Sequence, residues 1–212
     1  MVVSTDVKMV TSIERLREIL PEPGPDSSVR RKELRFIDAH ARNFIARSPF
    51  AVLSTAGPDG RCDATPRGDA PGFVKVLDDT TLLIPDRPGN RRLDSMENIL
   101  ANPHAGLLFM IPGMEETLRV NGRAMITEDR RLLEPLAMQG KVPLLGIIIE
   151  VEEVYFHCAR AFRRSRLWQP DTWIDRSEMP TLGQIVADQL KLGDSSAAEI
   201  DERLEKANKN LY

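Results

Sequence analysis

Cysteine is scarce in this chain: Cys62 and Cys158 are the only two in 212 residues, with no CxxC pair, and there are only three histidines. A zinc centre needs three or four clustered ligands, so this supply points to two reduced, packed thiols and to no metal role. A long apolar run is missing as well. The longest, Val142–Ile149, is interrupted by a proline and a glycine and falls well short of the roughly 20 residues of a membrane span, so no membrane partner is expected. Nor is there an excess of positive charge. A net charge of −3 argues against a nucleic-acid partner, which would call for a basic surplus. Neither G-x-G-x-x-G nor G-x-x-x-x-G-K-S/T occurs, which removes the usual nucleotide-binding loops. The opening MVVSTDVKMV lacks the charged-then-apolar pattern of a secretory signal, and the expected location is cytoplasmic.

What is present is the composition of an ordinary globular protein, 42% hydrophobic and 29% charged, long enough for one domain with appended elements. Apolar spacing predicts a short helix over 9–20, a Pro-rich linker over 21–28 and a helix over 29–46. A strand-rich block follows. FAVLST (50–55) and the stretch 61–67 flank AGPDG, strong turn chemistry that implies a hairpin. Segments 73–76 and 80–85 form a second pair; 105–111, 117–127 and 144–155 read as further strands, with Gly122 marking a bulge or a close approach. Helices are expected over 90–102, 128–138, 181–192 and 195–211. Six or seven strands, mostly hairpin-connected, with one helix inserted after the third or fourth, predict a mainly β protein: a small antiparallel barrel with helices outside. The organisation expected is an N-terminal helix and linker (1–28), the barrel with flanking helices (29–175) and a C-terminal helical extension (176–212).

The stretch TLLIPDRPGNRR, Thr81–Arg92, carries the strongest chemical signal. An apolar strand breaks at Pro85, turns through Asp86–Gly89 and restarts as a helix for which Asn90 is a candidate N-cap. Arg91 and Arg92 would then occupy the first helical turn, with Arg87 close by, where the helix dipole disfavours cations. Backbone N–H groups and guanidinium forks gathered there suit a phosphate; the alternative is a solvated basic helix start. A second basic stretch, HCARAFRRSRLWQPDTW (157–173), holds four arginines and both tryptophans of the protein, chemistry that also suits a planar anionic cofactor.

Taken in order, FIARSPFAVLSTAGPDGRCDATPRGD, LLIPDRPGNRRLDSMENILANPHAGLLF, ETLRVNGRA and HCARAFRRSRLW resemble the FMN-binding split-barrel family typified by pyridoxamine 5′-phosphate oxidase, in particular its bacterial flavin-nucleotide-binding branch, from Phe44 to about Trp173. The resemblance implies FMN as cofactor and a homodimer with flavin sites at the interface. It maps the family's phosphate grip onto Asn90, Arg91 and Arg92, its earlier-strand arginine onto Arg67, and its ribityl or ring contacts onto Pro85 and Asp86. Asp86 replaces a common Thr or Ser; it either accepts from a ribityl hydroxyl or caps the turn. Thr117 stands where the oxidase has a ring-contacting glutamine. Arg164, Ser165 and Trp168 would approach the partner chain's flavin, Trp168 alternatively being a packed interface aromatic.

The flavin carries the redox chemistry in such proteins, and no catalytic triad is evident: Ser54, Ser95 and Ser165 have no histidine nearby in sequence, and His104 and His157 read as structural. The activity implied is an FMN-dependent oxidoreductase acting on an unidentified small molecule. Pyridoxamine phosphate is disfavoured as that substrate, because two helices replace the oxidase's C-terminal substrate-binding segment. The alternatives are a non-catalytic flavin-binding or sensing module, and a split barrel that uses deazaflavin or haem.

Overall fold

Seven strands pair into one antiparallel sheet whose longest hairpin organises the rest. The computed structural model describes residues 7–193 and 195–212. The elements follow in the order α1 (Ile13–Ile19), α2 (Ser28–Arg31), α3 (Ala39–Ile45), β1 (Phe50–Ala56), β2 (Cys62–Gly68), β3 (Lys75–Val76), β4 (Thr81–Pro85), α4 (Asp94–Ala101), β5 (His104–Met110), β6 (Thr117–Thr127), α5 (Arg130–Leu133), β7 (Gly146–His157), α6 (Arg160–Ser165), α7 (Leu182–Gln189) and α8 (Ser195–Asn208). The strand order is β2-β1-β5-β6-β7-β4-β3. This is the antiparallel barrel that the strand pattern implies and the split barrel that the resemblance implies, with seven strands and the inserted helix after the fourth.

The β6–β7 hairpin has two halves with different neighbours. Leu118–Arg123 of β6 pair with β5, whereas β4 pairs with Gly146–Glu150 of β7. Between the halves the register slips: Asn121 faces Glu153 but Gly122 faces Val151, leaving Glu152 as the extra residue of a bulge. A bulge bends and twists a hairpin. Here the bend lets the β5-β1-β2 flank and the β4-β3 flank curl toward each other. Residues alternating inward from both flanks fill the space between them, among them Leu53, Leu107, Phe109, Leu118, Val120, Ile84, Ile147 and Ile149, all essentially inaccessible to solvent.

Three helical expectations are corrected. The helix over 29–46 is two short helices, because Leu34 between them exchanges main-chain hydrogen bonds with Val154 of β7 (2.9 and 2.7 Å) and Asp38 caps α3 through its side chain. That pairing is non-local, so helical spacing cannot announce it. Over 128–138 only α5 is α-helical, followed by a 3-10 turn at Glu134–Leu136, since Pro135 supplies no N–H donor. The 90–102 helix starts four residues late, at Asp94, and ends at Ala101.

At the periphery, α1 buries none of its residues. Helices α7 and α8 pack on each other through Ala187, Ala197 and Ile200, an apolar cluster separate from the barrel core. Among the described residues no helix is long and apolar enough to cross a membrane.

Candidate functional site at the β2 edge and the β4–α4 loop

Strand β2 lies at the edge of the sheet, and alternate residues along it point at α4 and the loop before it. Asp63 accepts from Asn98 Nδ2 (2.6 Å), the Thr65 and Ser95 hydroxyls lie 3.3 Å apart, and Arg67 Nη1 lies 3.4 Å from Asp86 Oδ1. Just past the strand, Asp69 Oδ2 accepts from Arg87 Nε at 2.5 Å. Four polar residues at a spacing of two thus meet α4 and the loop in sequence, and the last two meet consecutive loop residues.

Arg67 is the chemically incomplete member. Its side chain is 23% exposed, its contact with Asp86 is long, and its Nε is buried with no partner. A buried donor left unsatisfied is costly, and the exposed part of this guanidinium is what an acceptor from outside the chain can reach. Asp86 is pushed above the ordinary carboxylate range by burial, an effect that the Arg67 charge only partly opposes.

Arg87, by contrast, is engaged by the protein itself. Besides Asp69 it donates to the main-chain oxygen of Leu136 (2.9 Å), and its guanidinium lies 5.6 Å from the centre of the Tyr212 ring.

The loop beyond Gly89 differs from the sequence expectation. Asn90 does not cap a helix; its Oδ1 accepts from Arg92 N–H (3.0 Å) within a tight turn. Arg91 (φ 58°) and Leu93 (φ 63°) are both left-handed, so α4 cannot begin before Asp94. Its first turn holds Asp94 and Glu97 instead of arginines, which complements the dipole. Arg92 reaches forward to Asp94 (2.7 Å). Arg91 is exposed and makes no ion pair among the described residues. Two bulky residues held in the left-handed region cost about 1–2 kcal/mol each, and strain of this kind gathers at ligand-binding loops.

The remaining candidates form a separate group. Thr117 is buried and opens β6 opposite His157. After β7, α6 and the residues following it fold back on the turn before Thr117: Trp168 Nε1 donates to the main-chain oxygen of Met114 (2.7 Å), Trp168 stacks on Phe162, and Arg163 pairs with Glu115. Ser165 donates to the main-chain oxygen of Phe162 (3.1 Å), and Arg164 is exposed. Pro85 stands beside Gly146, which pairs with Thr127 at the far end of β6 from Thr117. Along the strand that separation is about 33 Å. Arg67, Asp86 and Arg87 therefore meet at the β2 edge, with Pro85 just before them and the Asn90–Arg92 loop following in the chain, while Thr117, Arg164, Ser165 and Trp168 lie elsewhere.

Sequence reasoning missed Asp69, Thr65, Ser95 and Tyr212. The alternation Asp63, Thr65, Arg67, Asp69 is visible in the sequence as a polar face on an edge strand. Tyr212 has no such signal. A wider concavity of about 590 Å³ lies toward the other end of β2, with Ser54, Ala64, His104, Gly106, Asn121 and Glu152 among its lining. It presents no arginine or lysine, so the cationic chemistry stays with the β2 edge. Among the described residues no three His, Cys, Asp or Glu side chains cluster as a metal site.

Comparison with known proteins places these features in a family. The model described as pyridoxamine 5′-phosphate oxidase matches residues 37–158, a span that takes in Arg67, the β4–α4 loop and Thr117 but stops before Arg164, Ser165 and Trp168. No curated protein matches the chain in sequence. Solved structures similar to it include HupZ of Group A Streptococcus (20% identity over 56% of this chain and 91% of that one, TM-score 0.46). Others are general stress protein 26 of Bacillus anthracis (20%, 54% and 88%, TM-score 0.42) and an FMN-binding protein of Syntrophomonas wolfei (11%, 56% and 84%, TM-score 0.43). Because the family match spans more than half of the chain, this protein belongs to the pyridoxamine 5′-phosphate oxidase family.

Proposed function

We propose that the chain binds FMN in the cleft between the β2 edge and the β4–α4 loop, and that it is a flavin-dependent oxidoreductase of a small molecule. The observation that carries this reading is the buried, unpartnered Nε of Arg67 beside a strained loop that presents the unpaired Arg91. An acceptor-rich dianion such as the FMN phosphate suits both guanidinium groups, whose forks match its geometry. Pro85 and Asp86 then lie along the ribityl chain, where Asp86 accepts from a hydroxyl. Bound flavin supplies the redox chemistry; the chain's own residues bind it, orient it and shield one side of it. The protein acts in the cytoplasm as a homodimer, in which the group of Thr117, Arg164, Ser165 and Trp168 on one protomer completes the flavin site of its partner.

The deciding experiment is a visible absorption spectrum of the purified protein, followed by titration with FMN. A yellow, two-banded spectrum or saturable uptake of FMN is expected, and reduction of bound FMN by NADH or NADPH then separates an enzyme from a passive binder. A protein that neither carries nor takes up flavin refutes the reading.

Arg91→Gly gives a finer test. Glycine relieves the left-handed strain, so the variant should be more stable than the wild type by roughly 0.5–1 kcal/mol, a rise of a few degrees in Tm. It should also bind FMN about tenfold more weakly, the loss of one charge-assisted contact. A melting curve and an FMN titration on the same sample check both signs.

A further inference from the structure

Asp69, Arg87 and Tyr212 form a half-buried polar cluster that direct phosphate contact does not require. The Asp69 side chain is 1% exposed, yet its oxygens are fully used: Oδ2 accepts from Arg87 Nε, and Oδ1 accepts from the Tyr212 hydroxyl (2.5 Å) and from Ala70 N–H (2.7 Å). The Arg87 guanidinium lies over the Tyr212 ring. Tyr212 is itself tied down, because Lys141 Nζ donates to its main-chain oxygen and approaches Asn210 Oδ1 at 3.5 Å. Asp69 and Arg87 also border a small cavity of about 100 Å³ lined by Phe73, Lys75, Leu136 and Met138. Arg87 follows Asp86 directly, so the two ion pairs Arg67–Asp86 and Asp69–Arg87 fix consecutive loop residues against Arg67 of β2 and Asp69 just past its end.

We propose that Tyr212 is a positioning residue for the phosphate end of the cofactor cleft: it completes a clamp with Asp69 and Arg87 that holds the β4–α4 loop, and so couples the docking of the segment after α8 to FMN affinity. The coupling rests on the flavin reading above; the clamp itself does not. With Tyr212 in place, Asp69 keeps its charge in a buried position and Arg87 has one place to go. Without it, the Asp69 carboxylate loses a donor and Arg87 its ring partner, and the loop from Arg87 to Leu93 is released while Asp86 stays paired with Arg67. The coupling is reciprocal, so bound FMN holds the segment after α8 by the same factor that the segment tightens FMN.

Two readouts on Tyr212→Ala and Tyr212→Phe test this. The first needs no flavin. Trypsin cuts after arginine, but not at Arg87, which precedes Pro88, so cleavage within the loop reports on Arg91 and Arg92. Tyr212→Ala should be cut there several-fold faster than the wild type. Tyr212→Phe, which keeps the ring over Arg87 but removes the hydroxyl that donates to Asp69, should be cut at a rate between the two. The second readout compares FMN with riboflavin. Tyr212→Ala should weaken FMN binding about three- to tenfold while leaving riboflavin affinity unchanged, because only the phosphate end depends on the loop; a general loosening of the fold would lower both. Unchanged cleavage in Tyr212→Ala overturns the clamp. Faster cleavage with unchanged FMN affinity overturns the coupling. If the wild type binds neither flavin, the flavin reading and the coupling fail together, while the cleavage rates still decide the clamp.

Discussion

Replacing Arg67 with alanine should weaken FMN binding about 100-fold, the scale expected when a largely buried, charge-assisted donor is removed from its anion. Arg67 is the one cation of the cleft that combines burial with an unpartnered nitrogen. It also neutralises Asp86, whose carboxyl burial has already pushed upward. The substitution therefore has a second, separable consequence. The carboxyl of Asp86 holds its proton more tightly in the fold than in the unfolded chain, so its contribution favours folding while protonated. That contribution is lost as pH rises past the ordinary value of 3.8. Without Arg67 the loss deepens, and Arg67→Ala should be less stable than the wild type at neutral pH by about 1 kcal/mol, with the gap closing in acid. Arg67→Ala combined with Asp86→Asn should recover that stability and none of the FMN affinity. Fluorescence titrations with FMN and riboflavin, alongside melting curves at two pH values, measure every term. If Arg67 contacts the phosphate, the variant loses its preference for FMN over riboflavin. A variant that still prefers FMN would move the phosphate elsewhere in the cleft.

The parts of this site differ in how far the sequence discloses them. The β1–β2 hairpin and β6 were legible because their information is local: AGPDG dictates the turn, and TLRVNGRAMIT alternates over the span that pairs as β6. Arg67, Pro85, Asp86, Arg87, Asn90, Arg91 and Arg92 stand out as candidates from residue types and resemblance. Their conformation does not. The start of α4 depends on a side-chain-to-main-chain bond at Asn90 and on two left-handed residues, and helical periodicity cannot see either. The role of Arg87 was hidden for another reason. Its partner Asp69 precedes it by 18 residues, and Tyr212 follows Asp69 by 143. Contacts of that range leave no periodic trace. Trp168 is a similar case: its indole N–H meets a main-chain oxygen at Met114, across the whole of the β6–β7 hairpin.

Gly122→Ala should destabilise the protein more than any change within the cleft, although Gly122 touches no proposed ligand. A Cβ built there would lie 2.0 Å from the main-chain oxygen of Glu150 and 2.9 Å from its carbonyl carbon. Neither atom can move aside as a side chain would, because Glu150 is held in the ladders to both β4 and β6. Relief requires the two strands to part at the bulge, where the hairpin bends to bring its flanks together. A loss of about 3–5 kcal/mol is expected, roughly 10–15 °C in Tm for a chain of this size. Gly24→Ala, where the added methyl meets nothing within 4 Å, is the matched control and should change Tm little. The consequence for function follows from the topology. Arg67 belongs to the β2 flank and Asp86 to the β4 flank, and the bend at Gly122 is what lets these flanks meet. In whatever fraction of Gly122→Ala folds, FMN affinity should fall even though every proposed contact residue is intact. A variant that melts early but binds FMN as tightly as the wild type would show that the cleft is assembled without the bulge.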